Sequence, residues 1–139
     1  MADLSITAAN VKWNSGTPTQ KGNGGAAITA GQVLYQLAAD NELYLADADT
    51  DAASEVKGVA MSDGQNGREM LYAPKGANVN IGATTTAGKI YVLSTTAGGI
   101  IAVDDVAAPT TGDYVVVLFV GTGTANVDLI LEKGSVAIP

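Results

Sequence analysis

The residues with the greatest capacity for chemistry in this chain are the aspartates that alternate at Asp47, Asp49 and Asp51. Carboxylate oxygens at such spacing are ligands that Ca²⁺ prefers. An EF-hand loop would also need glycine at its sixth position and glutamate at its twelfth, where this chain has Ala52 and Gly58. The pattern therefore favours a solvated acidic loop between two strands, with calcium binding as the alternative.

Catalytic groups are scarce in this sequence. The chain has no histidine and no cysteine, which removes the commonest general base, the thiol nucleophile and most transition-metal sites. Two carboxylates could still act together as they do in glycosidases, but the acidic residues fall mainly in predicted loops, and no pattern brings two of them together. The sequence therefore predicts a protein that is not an enzyme and needs no cofactor.

Two further motifs are weak. Gly121-Thr122-Gly123-Thr124 superficially resembles a phosphate-binding loop, but no predicted helix and no P-loop lysine follow it, so we predict a hairpin turn. Lys133-Gly134 could present a modifiable lysine, as in lipoyl carriers. Because Lys75-Gly76 stands at the corresponding place earlier in the chain, a turn used twice is the better interpretation.

Composition bounds the class of protein. The chain has 139 residues, enough for one domain, and a net charge of −7, which argues against binding to nucleic acid or to anionic lipid. Only 15% of residues are charged, against about 25% in a typical domain, so we expect a partner to cover part of the surface. The first residues lack the pattern of a signal peptide, and no apolar run reaches ~20 residues. We therefore expect a protein made in the cytoplasm that binds no membrane.

The elements that must position these residues are short strands. β-Branched and aromatic runs bounded by turn residues predict strands at 33–37, 42–46, 56–61, 68–73, 79–81, 89–93, 99–103, 114–120, 127–131 and 136–139. Helix signals are nearly absent. The run 114–120 is apolar without alternation, which indicates either burial on both faces or one face in the core and the other against another subunit.

A pattern near the start of these strands occurs twice. Ala30-Gly31-Gln32-Val33-Leu34-Tyr35 is matched by Ala87-Gly88-Lys89-Ile90-Tyr91-Val92, an offset of 57 residues (88 − 31), and Ile81 and Ile138 share that offset. We interpret residues 30–81 and 87–138 as two similar halves. The alternative is two similar but unrelated strand–turn patterns, which all-β chains often contain.

Residues 1–25 form an N-terminal arm ahead of a body at 26–139. The arm has too few apolar residues to fold alone, so it needs a surface to lie on: its own body, a sister subunit or a larger assembly. Short strands are predicted at 4–7 and 11–13. The candidate partner-binding residues are the large apolar side chains of the arm: Leu4, Ile6, Val11 and Trp13. Trp13 is the best anchor, and the alternative is that it plugs one end of its own barrel.

The order of these motifs resembles the small capsid cement proteins of tailed bacteriophages. In both, a glycine-led strand and an acidic loop precede a segment such as Val56-Lys57-Gly58-Val59-Ala60-Met61, whose Gly58-Val59-Ala60 matches the middle element of the family. Ala87-Gly88-Lys89-Ile90-Tyr91 resembles a late family element. Asp113-Tyr114-Val115 departs from the family pattern. Lambda-type head decoration proteins share the order of arm, hairpin, strand and a return, for which this chain offers Tyr72-Ala73-Pro74-Lys75-Gly76.

This resemblance implies a structural virion protein without an active site. Cement and decoration proteins bind the outer surface of the expanded head across seams between subunits of the major capsid protein, commonly as homotrimers. The expected fold is all-β, a small β-barrel or β-sandwich (β-tulip-like) of two similar halves with an extended N-terminal arm.

Two other functions remain open from the sequence. The chain could be a structural β-domain associated with a phage tail or fibre. It could also be a non-catalytic carbohydrate-binding module, which would need exposed aromatic side chains on one sheet face. Its candidates for such a platform are Trp13, Tyr35, Tyr44, Tyr72, Tyr91 and Tyr114.

Overall fold

Short antiparallel strands are the main regular secondary structure in the computed structural model of this chain, which describes residues 4, 6–14, 20–37, 39, 41–48, 54–94, 96–102 and 115–133. Ala8–Asn10 form a 3-10 turn. The strands within the described residues are β1 (Lys12–Trp13), β2 (Gln20–Asn23), β3 (Val33–Gln36), β4 (Leu43–Leu45), β5 (Val56–Ala60), β6 (Glu69–Ala73), β7 (Asn78–Asn80), β8 (Ile90–Leu93), β9 (Ile100–Ala102), β10 (Val116–Val120), β11 (Asn126–Asp128) and β12 (Glu132–Lys133). The all-β prediction is confirmed.

The strands form three antiparallel sheets. One has five strands in the order β2-β6-β5-β3-β4, one has four in the order β12-β10-β8-β9, and one has three in the order β1-β7-β11. Across the described part of the chain, none of the three closes into a barrel. The arm therefore supplies an edge strand to two different sheets, β2 to the five-stranded sheet and β1 to the three-stranded sheet.

Two details of the predicted strands are wrong. The described residues of the predicted strand at 4–7 are not part of a strand, and the chain instead turns at Ala8–Asn10 before β1. The glycine-threonine turn at 121–124 does not close a hairpin, because β11 pairs with β7, whereas β10 pairs with β8 and β12. The predicted strand at 136–139 lies outside the described residues.

The two halves contain the same three-stranded unit. In the first half β3 lies between β4 and β5, and in the second half β8 lies between β9 and β10. The hairpin registers agree at an offset of 57 residues, so that the pair Leu34–Leu45 corresponds to Tyr91–Ala102. The third strand follows at an offset of 61 (120 − 59), so that Val33–Val59 corresponds to Ile90–Val120.

The irregularities of the two units also agree. The register of β3 with β5 shifts between Leu34 and Tyr35, and the register of β8 with β10 shifts at the corresponding step, between Val117 and Phe119. The turns that lead into the units match as well. Gly31 N donates to Ala60 O (2.8 Å) and Gly88 N to Gly121 O (3.0 Å). The two units thus share a bulge and the turn bonds that lead into them, and bulges are specific features of a fold. The interpretation of the two halves as a true repeat stays a prediction.

The two units turn opposite faces toward the shared core. The main cluster of buried residues contains Val33 and Val59 of the first unit. Their counterparts in the second unit, Ile90 and Val120, are exposed, at 41% and 40%. Conversely, Tyr91 packs in the main cluster, whereas its first-half counterpart Leu34 packs in a second, separate cluster. The same strand unit is thus used in two orientations.

That second cluster covers the remaining face of the first unit. Its buried members are Ile28, Leu34, Leu43, Ala60, Met70 and Tyr72. The segment just after β2 lies against this cluster, because Gly24 N donates to Arg68 O (2.8 Å) and Ile28 exchanges two backbone hydrogen bonds with Gly64 (2.9 Å each). The first unit is therefore covered on both of its faces.

The end of the described chain joins two sheets. β11 pairs with β7, and a few residues later β12 pairs with β10. Between them Leu131 adopts a left-handed conformation (φ 52°), and the amides of Ile130 and Leu131 both donate to Leu118 O (2.7 and 3.4 Å). This kink lets one run of backbone pass from the three-stranded sheet to the four-stranded sheet.

Candidate functional site

The acidic loop that opened the sequence analysis is only partly within the described residues. Asp47 is described and half-buried, and Glu55 is described and exposed, whereas residues 49–53 lie outside the described part. Within the described residues, no three acidic side chains come together as a metal site would require. The calcium alternative stays a prediction. No helix within the described ranges is long and apolar enough to cross a membrane.

Three of the four predicted partner-binding residues meet at one corner of the chain's own core. Val11 is buried in the main cluster, and Leu4 and Ile6 are half-buried against it. The backbone amide of Leu4 donates to Ile100 O (2.6 Å), at the free edge of β9. The described part of the arm thus lies on its own body, the first of the three surfaces that the sequence left open.

Two glycines make room for the arm. Gly31 and Gly82 both have positive φ angles, 95° and 80°. A Cβ atom at Gly31 would lie 2.6 Å from the Cγ2 atom of Ile6, and one at Gly82 would lie 2.7 Å from the carbonyl oxygen of Thr7. Thr7 N in turn donates to Gly82 O (2.9 Å). The glycines therefore serve both the turn conformation and the close approach of the arm.

Trp13 is the fourth predicted residue. Its backbone lies in β1, opposite Val79 of β7. Its side chain lies outside the described part of the structure, so the choice between anchor and plug stays a prediction. Whether any of the four residues also contacts a partner likewise stays a prediction.

A shallow cavity of about 320 Å³ separates the arm from the turns of both halves. Its lining includes Leu4, Ile6, Gly31, Gln32, Gly98 and Ile100. Most of these groups are aliphatic side chains or glycine backbone. Gln32 is the most polar of those six, and its side-chain oxygen already accepts a hydrogen bond from Thr29 N (2.8 Å). The cavity belongs to the seam along which the arm packs.

The three-stranded sheet presents a polar face that the sequence analysis did not identify. Asn14 Nδ2 donates to Asn78 Oδ1 and to Asn126 Oδ1 (3.2 Å), and Asn78 Nδ2 donates to Asp128 Oδ1 (2.7 Å). The alternation Asn78-Val79-Asn80 and Asn126-Val127-Asp128 was the available signal, since period-2 polarity marks one exposed face. These amides and the Asp128 carboxylate hydrogen-bond one another across the strands.

A second feature is an aliphatic face on the four-stranded sheet, which the sequence indicated only through the apolar run 114–120. We use this name for five side chains that the strand register places on one side of β8, β9 and β10, together with Val115, which precedes β10 and alternates with Val117: Ile90, Val92, Ile101, Val115, Val117 and Val120. Ile90, Val115 and Val120 are 40% to 43% exposed. Val92 is buried, with half-buried Val117 and Ile101 as its cross-strand neighbours.

The aliphatic face can act only through contact. None of its six side chains carries a hydrogen-bonding or ionisable group, and all six are β-branched, which limits the rotamer entropy lost when they are covered. Neighbouring exposed apolar side chains on a sheet mark a protein–protein contact more often than isolated ones do. The run 114–120 pointed to this face, but only the register shows that Ile90 and Val120 are cross-strand neighbours.

No protein-family model matches this sequence, and no curated protein is significantly similar to it.

Proposed function

We propose that this chain is a capsid cement or decoration protein of a tailed bacteriophage. In this proposal it binds the outer surface of the expanded head across seams between major capsid subunits, acts as a homotrimer and performs no reaction. The aliphatic face carries the proposal, because a small acidic domain with an uncharged, partly exposed sheet face is suited to holding proteins together. The sequence resemblance described above supplies the identity of the shell.

The arm supports the same proposal through stiffness. It adds β1 to one sheet and β2 to another, and its residue Leu4 reaches the third at Ile100. Because the arm is bonded to all three sheets, the sheets resist sliding past one another. A clamp on a shell needs that property, since it binds the expanded shell and stabilises it by mass action. Modest contacts suffice when linked copies bind together.

We also propose that the three sheets are arranged as a β-sandwich. The main cluster draws buried side chains from all three sheets, among them Val33, Val79 and Phe119. Sheets that share one apolar layer support the sandwich alternative, in the β-tulip-like arrangement that the resemblance implies.

The carbohydrate-binding alternative has less support. Tyr72 and Tyr91 are buried, and Tyr35 and Tyr44 are half-buried with their ring centroids 6.0 Å apart. Tyr35 packs against the main cluster. These four tyrosines therefore serve the interior or its margin, whereas a sugar platform needs exposed rings on one face.

Co-sedimentation tests the proposal. The protein is mixed with undecorated expanded heads of the parent phage and with unexpanded proheads, and each mixture is pelleted. We expect saturable binding to the expanded heads and higher resistance of those heads to heat. Absence from both pellets would overturn the proposal, and binding to a glycan array in the same preparation would favour the carbohydrate-binding module. Binding to tail fibres in place of heads would favour the tail-associated domain.

A further inference from the structure

Two Asn-Gly dipeptides, Asn23-Gly24 and Asn66-Gly67, are hydrogen-bonded to each other in the fold although 43 residues (66 − 23) separate them in the chain. We infer that they form a coupled deamidation site. In this site each asparagine side chain can react with the glycine that follows it, and shared backbone hydrogen bonds hold both reactions back. We call the two dipeptides the Asn-Gly pair. The inference is independent of the proposed function, because it needs neither a shell nor a second copy of the chain.

The chemistry of an Asn-Gly dipeptide needs no reactant except water. The glycine nitrogen attacks the side-chain carbon Cγ, the C–N bond of the side-chain amide breaks, and ammonia leaves with the proton of the glycine nitrogen. Water then opens the resulting succinimide ring at either carbonyl, which gives aspartate or isoaspartate. Glycine favours the attack because it has no Cβ to shield its nitrogen and lets the backbone rotate freely.

Both attacking nitrogens are donors in backbone hydrogen bonds. Gly67 N donates to Gly24 O, and Gly24 N donates to Arg68 O (2.8 Å each). Such a nitrogen must lose its hydrogen bond before it can give up its proton and turn toward the asparagine Cγ atom. Each bond therefore slows the first step of deamidation in the folded chain.

The two bonds open together because both involve Gly24. Its carbonyl accepts from Gly67, and its own amide donates to the residue after Gly67, so movement of Gly24 away from the turn breaks both bonds. β2 is the outermost strand in the described order of the five-stranded sheet, and its last residue, Asn23, lies opposite Glu69. Strand ends open locally at a low free energy. Fraying of this end therefore frees both glycine nitrogens at once.

The contact between the two dipeptides is close. A Cβ atom at Gly24 would lie 2.8 Å from Gln65 O, at the start of the turn that contains Asn66. Arg68 N closes this turn by donating to Gln65 O (3.0 Å), and Gly67 has a φ of 79° in it. A positive φ at the third turn position is typical of a type II turn. The hydrogen bonds thus join two backbone segments between which a side chain at Gly24 would not fit.

Conversion changes both the charge and the backbone of the pair. Each event replaces a neutral amide by a carboxylate, so conversion of both asparagines takes the net charge from −7 to −9 (−7 − 2). Isoaspartate also adds a methylene group to the main chain. At position 66 this insertion moves Gly67 N relative to Gly24 O and loosens the bonds that protect Asn23.

Peptide mapping by mass spectrometry tests the inference on the full-length protein. The protein is incubated at mildly alkaline pH, and aspartate and isoaspartate are counted together at Asn23 and Asn66. The same chain kept unfolded in guanidinium chloride gives the rates without the hydrogen bonds. We expect both asparagines of the native protein to convert at least tenfold more slowly, and by similar factors, since a tenfold factor corresponds to an opening free energy of about 1.4 kcal/mol.

A variant that separates the two segments sharpens the test. Gly24→Ala places a methyl group against Gln65 O and leaves the reporting dipeptide Asn66-Gly67 unchanged. The matched control is Gly88→Ala, in the turn before β8, where φ is 81° and a Cβ atom would meet nothing within 4 Å. This control strains the backbone elsewhere in the fold. Conversion of Asn66 should be several times faster in Gly24→Ala than in the native protein, and unchanged in Gly88→Ala.

Three results would overturn the inference: native conversion as fast as in the unfolded chain, protection of only one of the two asparagines, or equal rates at Asn66 in the two variants. Amide hydrogen exchange of the native protein gives the same decision if Gly24→Ala does not fold. The amides of Gly24 and Gly67 should exchange with one common opening free energy. Unequal values would contradict the shared opening.

Discussion

The first-half unit β4-β3-β5 and the second-half unit β9-β8-β10 have the same pairings and the same bulge but different surroundings. In the first, the pair Val33–Val59 is fully buried, and the opposite face is covered by the second cluster. In the second, the corresponding pair Ile90–Val120 is exposed. The strand unit is therefore a scaffold that tolerates either face in the core, and the side chains decide which face is buried.

The largest difference in stability between the two units is expected when charges are placed at the corresponding pairs. Val33→Lys/Val59→Glu puts two charges into the main cluster, where removal from water costs several kcal/mol per ion. We expect no cooperative unfolding transition in this variant. Ile90→Lys/Val120→Glu should keep a native circular dichroism spectrum and a Tm within a few degrees of the parent. Equal stability of the two variants would show that the faces are not used differently.

The next largest effect is expected at Phe119. Its ring is fully buried and stacks on Tyr91 with centroids 5.1 Å apart. The first-half counterpart is Gly58, where a Cβ atom would lie 2.3 Å from Ala73 O, so the aromatic pair belongs to the second unit alone. Phe119→Ala should lower the free energy of unfolding by about 3 to 5 kcal/mol, measured by urea denaturation. Val120→Ala, on the neighbouring exposed side chain, should cost under about 1 kcal/mol.

A smaller effect is expected in the N-terminal arm, which packs against the chain's own body. Val11 packs in the main cluster, and a Cβ atom added at Gly31, which precedes β3, or at Gly82, which follows β7, would lie 3.1 or 2.9 Å from its Cγ2 atom. Val11→Ala should destabilise the protein by about 2 kcal/mol through lost burial. Lys12→Ala, at an exposed position of the same segment, should change the unfolding free energy by less than about 0.5 kcal/mol. If both variants behave alike in urea, the arm does not contribute to the stability of the free chain.

The smallest expected effect concerns Tyr72, a buried member of the second cluster, which covers one face of the first unit. Burial raises the pKa of the Tyr72 hydroxyl above its usual value of 10.0. Because the folded pKa is the higher one, the unfolded state loses the proton first, and stability falls as the pH rises above about 10 and levels off above the raised value. In Tyr72→Phe this part of the decline should be missing. Thermal unfolding between pH 8 and 11 measures the difference, and parallel curves for the two proteins would contradict it.

The sequence predicted the strands better than their partners. Val33, Leu43 and Val79 each lie in a predicted strand that the structure contains, because short apolar runs between turn residues are a local signal. The sheet order depends on contacts far apart in the chain, such as β11 with β7. No local pattern carries that information, which is why the turn after β10 was wrongly predicted to close a hairpin.

The alternation of apolar and polar residues at the start of the arm wrongly predicted a strand at 4–7 for a similar reason. Leu4 and Ile6 alternate with polar residues as a strand would, but the backbone bonds of this segment go to different elements. Leu4 bonds to Ile100 and Thr7 bonds to Gly82, so the bonds of the described residues in this segment go to two different parts of the chain. The aliphatic face was hidden for another reason, since both sides of β10 are apolar and composition does not tell which one is buried.

The bond from Leu4 to Ile100, together with the pairing of β1 with β7, sets the order of events during protein synthesis. These residues have no partner until about 65 to 100 more have been added, and at about 5 to 20 residues per second that wait lasts roughly 3 to 20 s. The amino-terminal segment therefore docks late on a body already formed. An affinity tag fused to this segment would hinder its docking, which is the last step of folding. The earlier steps would proceed as in the untagged protein.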